Sequence, residues 1–388
     1  MQLKVMIAAA VGTGLLSFGA ASAHAEPGMV YTMSNAASGN EVLAYARGAD
    51  GSLSLAQTIA TGGLGSGLGF TFPGDPLASS GSVVLSADNR WLLAVNAGSD
   101  DLSVFSVDAA GHLTKTALEP SGGGFPVSVA ISKSLVYVVH AAGSAVIQGF
   151  RLDDAGQLSM IEGSTREASP VQNSNPPVAI QSPGQILFDP SGTYLTVIDK
   201  GATPNDGRLL VFPILRDGRP TTEPIIQPAL GTLPFAGIYT SSDQLLVPAA
   251  LSTSLASYRL HPSGDLAPVS APITNNQGAA CWVALAGPDE AFAFTTNTAN
   301  GTVSSYAVGA DGTLSLLAAV AGSTGPGSAP IDVVAADAGR FLYTLDGQGG
   351  SVPGPRNLRV FSVASDGGLG SVQTLAGLPD TTVGLAAY

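Results

Sequence analysis

Residues 83–113 read VVLSADNRWLLAVNAGSDDLSVFSVDAAGHL. Three short apolar runs are divided by Ala87-Asp88-Asn89 and by residues 96–101, and the stretch closes on Gly111-His112-Leu113. In the middle run Trp91, Leu93 and Val95 alternate with Leu92, Ala94 and Asn96, and Val104, Phe105 and Val107 carry the third. That two-residue period is a strand's. With both faces largely apolar, the sheet needs cover on both sides. The closing turn pairs a polar side chain with a glycine that tolerates positive φ.

The same turn returns at Asp50-Gly51-Ser52-Leu53, Gly156-Gln157-Leu158, Asp217-Gly218-Arg219-Pro220, Gly264-Asp265-Leu266, Asp311-Gly312-Thr313-Leu314 and Asp366-Gly367-Gly368-Leu369. With Gly111-His112-Leu113 there are seven copies, spaced on average by about 53 residues. Three or four strands at that period predict an all-β, seven-bladed β-propeller with four-stranded antiparallel blades. The units start near residues 29, 82, 126, 182, 235, 281 and 331. First strands such as VSVAI, AGIYT and DVVAA are rich in small residues, as a crowded axis demands. Second strands carry Trp91, Tyr137, Tyr194, Phe292, Phe294, Phe341 and Tyr343, which would fill the wedges between blades. The first unit lacks a first strand, and the tail TVGLAAY at 382–388 supplies one. The C-terminal strand is therefore expected to pair with the N-terminal strands and close the ring. Two connections, residues 61–82 and 169–183, are long and should cross on one face. The glycine-rich run in the first opens no helix and lies in no βαβ unit, which excludes a dinucleotide fingerprint.

Residues 1–25 read as a signal peptide: Lys4, an apolar run over 5–20, and Ala23-His24-Ala25 as a small-x-small site with cleavage after Ala25. Residues 26–388 would then form a single domain in a periplasmic or secreted protein. The apolar run is short, glycine-interrupted and followed by no basic flank, so no transmembrane anchor is expected. A net charge of −13 removes any electrostatic footprint for nucleic acid. Charged residues at 11% and hydrophobic residues at 45% exclude a disordered chain. Cys281 is the only cysteine and forms no internal disulfide, so stability rests on the core and on ring closure. The expectation is a monomer with no cofactor and no metal.

Aligned by their starts, the second strands end on Asn35, Asn96, His140, Asp199, Ala249, Asn297 and Asp346. In a propeller these ends share one face with the loops entering the first strands, so six polar side chains would ring the channel mouth. Asn and Asp at strand ends are also ordinary turn-formers. His140 breaks the Asn/Asp pattern and offers a general base, a metal ligand or a bland core imidazole. Lys200 follows Asp199 and would pin a carboxylate or an oxyanion, or simply pair with Asp199. Phe125, Gln181, Phe235, Cys281, Trp282 and Asp332 should approach the same mouth. No serine-hydrolase elbow, zinc spacing, P-loop or EF-hand loop is present.

The segments FDPSGTYLTVIDKG (188–201), NRWLLAVNAGSDDLSVFSV (89–107) and ADGTLSLL (310–317) resemble the seven-bladed propeller lactonase family. That family takes in 6-phosphogluconolactonase-like proteins and fungal carboxymuconate-cyclising enzymes, and the likeness covers essentially all of the mature chain. AACWVALAGPDEAFAFTTNTANGTVSSY (279–306) and GSAPIDVVAADAGRFLY (327–343) are similar to an exported bacterial branch. The better-known members carry a histidine segment resembling PHxH at the entry to the fourth blade, and then an Asp-Leu-Gly turn. Here those places read Ser182-Pro183-Gly184-Gln185 and Asp199-Lys200-Gly201, so that catalytic set does not transfer. The resemblance implies the fold and a small-molecule site at the channel mouth. The leading expectation is a lactone hydrolase of the carboxylic-ester hydrolase type, hydrolysing or cyclising a small polar ring. His140 and Lys200 would be catalytic, and Asn96, Asp199, Asn297, Asp346, Trp282 and Gln181 would hold the substrate. The alternative is a non-catalytic ligand- or protein-binding propeller.

Overall fold

The computed structural model describes residues 28–68, 74–348 and 354–388. The expected leader and its cleavage site lie outside them. Seven antiparallel sheets stand around one axis as blades. Their inner strands are Val383–Ala387, Val83–Leu85, Pro126–Ser132, Pro183–Phe188, Ile238–Tyr239, Ala280–Ala286 and Ser328–Ala336, for blades one to seven.

Ring closure follows the expected pairing. Gly28–Met33 pairs antiparallel with Glu41–Arg47 on one side and with Val383–Ala387 on the other. Val30 lies opposite Ala387 and Tyr31 opposite Ala386. The Thr32 hydroxyl donates to the Val383 carbonyl at 3.1 Å, and the last strand becomes the first of blade one.

Two blades have their outer strand in two pieces. Leu158–Met160 and Arg166–Asn173 both pair with Gly143–Leu152, and Leu266–Pro268 and Ile273–Thr274 both pair with Ser254–Leu260. Residues 169–183 are therefore not one long loop. The strand Arg166–Asn173 takes up the first five, because Ala168 and Ser169 are buried in the sheet, and only then does the chain cross to blade four.

The large rings do fill the wedges, each reaching the closing turn of the next blade. The Tyr31 hydroxyl donates to the Gly111 carbonyl at 2.7 Å, Tyr137 to Gly218 at 2.6 Å and Tyr343 to Gly51 at 3.0 Å. Trp91 lies over Gly156, where φ is 75° and an added Cβ would fall 2.5 Å from the indole ring. The repeated glycine thus serves two ends: it permits the turn, and it lets a neighbour's ring sit directly on the backbone.

Candidate functional site

The second strands end on the mouth face, and their six polar terminal side chains are all buried. Five of them bond to their own blade's third strand. Asn96 donates through Nδ2 to Asp101 (2.6 Å) and Ser103 (2.8 Å). Asn297 donates likewise to Thr302 (3.0 Å) and Ser304 (2.9 Å). Asp199 takes Arg208 at 2.6 Å, and Asp346 takes Arg359 at 3.2 Å. Burial raises the Asp346 carboxyl, and Arg359 pulls it part of the way back. An amide suits the position because it donates and accepts at once. The Asn96 oxygen accepts from Asn40 of blade one, and the Asn297 oxygen accepts from Asn275 of blade five, so these pairs also link blades. Asn35 holds Ser66 through its amide at 2.9 Å and its carbonyl at 3.0 Å. Ala249, in blade five, has no polar group to contribute.

His140 is fully buried in the same wiring. Its Nδ1 lies 3.0 Å from the Val146 carbonyl and its Nε2 3.0 Å from the Ser121 hydroxyl. A carbonyl only accepts, so Nδ1 carries the proton and Nε2 presents its lone pair to Ser121. Burial depresses the imidazole to about 4, which keeps it neutral at ordinary pH. Ser121 also lies 2.8 Å from the Asp100 carbonyl, and its N–H donates to that carbonyl at 2.9 Å. His140 thus braces the Asp100 turn through Ser121.

Described residues also lie across the axis. Residues 74–82, on the long connection into blade two, cross the channel mouth and touch blades on opposite sides of the ring. Gly74 lies against Ile331 and Ala329 of blade seven. The Ser79 hydroxyl donates to Val127 of blade three at 2.8 Å, and the Ser80 N–H to Gly184 of blade four at 3.0 Å. Trp282 of blade six donates its indole N–H to the Ser79 carbonyl at 3.0 Å. Lys200 of blade four, fully buried, donates to the carbonyls of Ala78 (2.7 Å) and Ala179 (2.8 Å), and its ammonium lies 4.7 Å from the Phe235 ring centre. Phe235 in turn meets Trp282 edge-on at 4.7 Å.

This axial plug carries a carboxylate. Asp75 accepts from the N–H groups of Leu77 and Ser79, both at 3.0 Å, and burial lifts it to about 6 against the pull of those bonds and of Arg356. Burial depresses Lys200 to about 7, with Asp75, Cys281 and Asp199 opposing the fall. Asp332 is buried beside Asp75 and raised well above its usual range, first by desolvation. Burial pushes the Cys281 thiol up to about 12, which makes it a core residue rather than a nucleophile. Lys200 and Trp282 therefore meet on a segment of their own chain. Gln181, half-buried, donates to the Ala202 carbonyl at 3.0 Å and joins neither group.

Sequence reasoning missed Asp75 and Arg356, and saw in Asp100, with Asp101, only oxygen ligands too few for a calcium site. The signal at Asp75 was the apolar Pro76-Leu77-Ala78 between glycine- and serine-rich flanks. Asp100 lines an off-axis cleft of about 350 Å³ with Ala37, Ser66, Phe125, Asn175 and Pro176, where loops of blades one to three meet. Its Oδ1 accepts the Phe125 N–H at 2.6 Å, and its own φ is 59°. Among the described residues no group of three or more His, Cys, Asp or Glu side chains is disposed to hold a metal ion, and no helix is long and apolar enough to cross a membrane.

Residues 22–172 match the family model described as Lactonase, 7-bladed beta-propeller. No curated protein matched the chain. Among solved structures it resembles a candidate 6-phosphogluconolactonase from Bacteroides uniformis, with 18% identity, a TM-score of 0.68, and cover of 94% of this chain and 100% of that one. The periplasmic gluconolactonase of Pseudomonas aeruginosa gives 17%, 0.66, 93% and 98%, and a Lactobacillus plantarum protein gives 17%, 0.69, 93% and 99%. At these identities the structural likeness is one of fold.

Proposed function

We propose, taking the chain as a lactonase-type seven-bladed propeller, that it is exported after loss of residues 1–25 and hydrolyses a small polar lactone in the off-axis cleft. One observation carries this reading. Residues 74–82 lie across the axial mouth, and in a cleft of about 350 Å³ on that face a held carboxylate, Asp100, meets open space. Asp100 is the general base. It takes a proton from water as the water oxygen bonds to the lactone carbonyl carbon. The ring C–O bond then breaks, and the proton passes to the leaving alkoxide, giving a hydroxy acid. Ser66 and Asn175 offer polar groups to the substrate, and Phe125 and Pro176 offer apolar wall. His140 is a positioning residue that acts through Ser121. Lys200 takes no part in this cleft, because its bonds lie on the axis.

The test is turnover of a panel of hydroxylated five- and six-membered lactones by wild type and Asp100→Asn. The expected outcome is a kcat lower by about 10²–10⁴ in the variant with the fold unchanged. Equal rates would remove Asp100 from the mechanism. A second reading, a non-catalytic binding propeller, is favoured by one observation: the strand-end polar groups are already bonded within the protein. It predicts ligand-dependent shifts in melting temperature with no turnover by wild type.

A further inference from the structure

We infer that the rim formed by the outer strands of blades six, seven and one is the interface at which a second copy of this chain binds. Each blade ends on an outer strand whose far side has no partner in its sheet. Such an edge is a row of free N–H and C=O groups, open to pairing with another extended chain. Proteins blunt it with charge, with proline, or with a short or broken strand. Blades two to five do so. Blade two carries Lys115, Glu119 and Pro120 on Leu113–Pro120. The edge of blade three is in two pieces and holds Arg166, Glu167 and Pro170. Blade four has only Ile225–Pro228, with Pro224 before it. Blade five is split as well, and Pro268 and Pro272 mark the break.

Blades six, seven and one do none of this. Leu314–Ser323 and Leu369–Leu378 run ten residues each and Leu53–Ala60 runs eight, all unbroken. None of the three contains a charged residue or a proline. The pairing register shifts along each of them, but it shifts along the charged edge of blade two as well, so bulging does not set them apart. Leu317, Val320, Val372 and Leu55 stand exposed on these edges. The three are also held as one surface. Gln373 of blade seven accepts the Leu53 N–H of blade one at 2.6 Å and donates to the Leu53 carbonyl at 3.1 Å. On the other side, a Cβ on Gly322 of blade six would lie 3.0 Å from the Leu369 side chain.

Charge identifies the occupant. The chain carries a net charge of −13, so two copies repel each other in general. On this arc they meet with no charge at the joint, and a highly charged partner finds no counter-charge there. A two-fold axis lays Leu369–Leu378 antiparallel to its own copy, with the uncharged edges of blades six and one flanking the joint. The same operation centred on blade two would bring Lys115 and Glu119 into the joint. The three edges amount to about 90 Å of strand and, at about 10 Å of width each, roughly 900 Å² of surface, which meets the about 800 Å² per partner of a stable interface.

The experiment is sedimentation of the full-length chain from micromolar to submillimolar concentration, in low and in high sodium chloride, with amide exchange read at the same concentrations. The expected result is a monomer–dimer equilibrium that stops at two copies and tightens in high salt, as the like charges are screened. Amides of residues 373–376 should exchange at least tenfold more slowly in the dimer than in the monomer, while those of the turn at 153–155 stay unchanged. Val372→Lys places a charge on the central edge and should weaken dimerisation at least tenfold. Met160→Lys adds the same charge to the edge of blade three and should stay within about twofold of wild type. A monomer at every concentration would overturn the inference, as would growth past the dimer or undiminished association in Val372→Lys. Should that variant fail to fold, exchange in the wild type decides: a dimer in which 373–376 gain no protection contradicts the proposal. None of these readouts depends on turnover in the cleft.

Discussion

At Lys200 the amine is fully buried and spends its protons on the carbonyls of Ala78 and Ala179. It faces Asp75 on the plug, Cys281 on blade six and Asp199 on its own strand, and Asp75 faces Arg356 and Asp332 from blade seven. These surroundings set a pH dependence whose sign is fixed. Lys200 is depressed to about 7, so the sealed mouth loses stability as pH falls from 10.5 towards 7, and the loss is complete below. Asp75 is raised to about 6, so the sealed mouth loses stability as pH rises from 3.8 towards 6, and the loss is complete above. Both penalties act in full between about 6 and 7. Local opening free energy at residues 76–81, from amide exchange at several pH values, should pass through a minimum there and rise on either side. A flat profile would mean that neither charge is buried under the plug. The oddity of both residues was legible in the sequence: Lys200 breaks a row of small residues, and Trp282 opens an otherwise small inner strand. Their shared partner was not, because a Gly-, Pro- and Ser-rich run reads as surface loop whether or not it dives inward.

The strand ends show the opposite case, a pattern read correctly in sequence whose use is internal. Asn96 meets Ser103 and Asn297 meets Ser304, each seven residues on, across the hairpin of second and third strands. That spacing was the available clue that the amides close their own hairpins. Asn297→Ala would leave the buried Asn275 amide without its acceptor and take a donor from Thr302 and Ser304, whose hydroxyls keep Gln277 and Ala319, and should cost about 2 kcal/mol in chemical denaturation. The lactone KM should stay within about twofold of wild type, since the change removes no group from the cleft. A large rise in KM without loss of stability would return Asn297 to the substrate site. At this scale most of the fold was readable, because each closing glycine is constrained twice, by its own φ and by the ring lying on it at Gly156 and Gly51. The broken outer strands were not readable, since Gly163 and Pro272 punctuate them as they would a loop.

Across the whole molecule, ring closure and mouth sealing work together. The tail strand joins the last blade to the first, and residues 74–82 then tie blades three, four, six and seven from above. With residues 74–82 across the axis, the proposed chemistry falls to the cleft at Asp100. The seal is therefore the feature on which the reading of the cleft depends. Amide exchange of the full-length protein without added ligand tests it most directly. The sealed structure predicts that residues 76–81 exchange at least tenfold more slowly than the exposed turn residues 153–155. Exchange of 76–81 as fast as that turn, with Val383–Ala387 still protected, would show a closed ring with an open mouth and contradict the account.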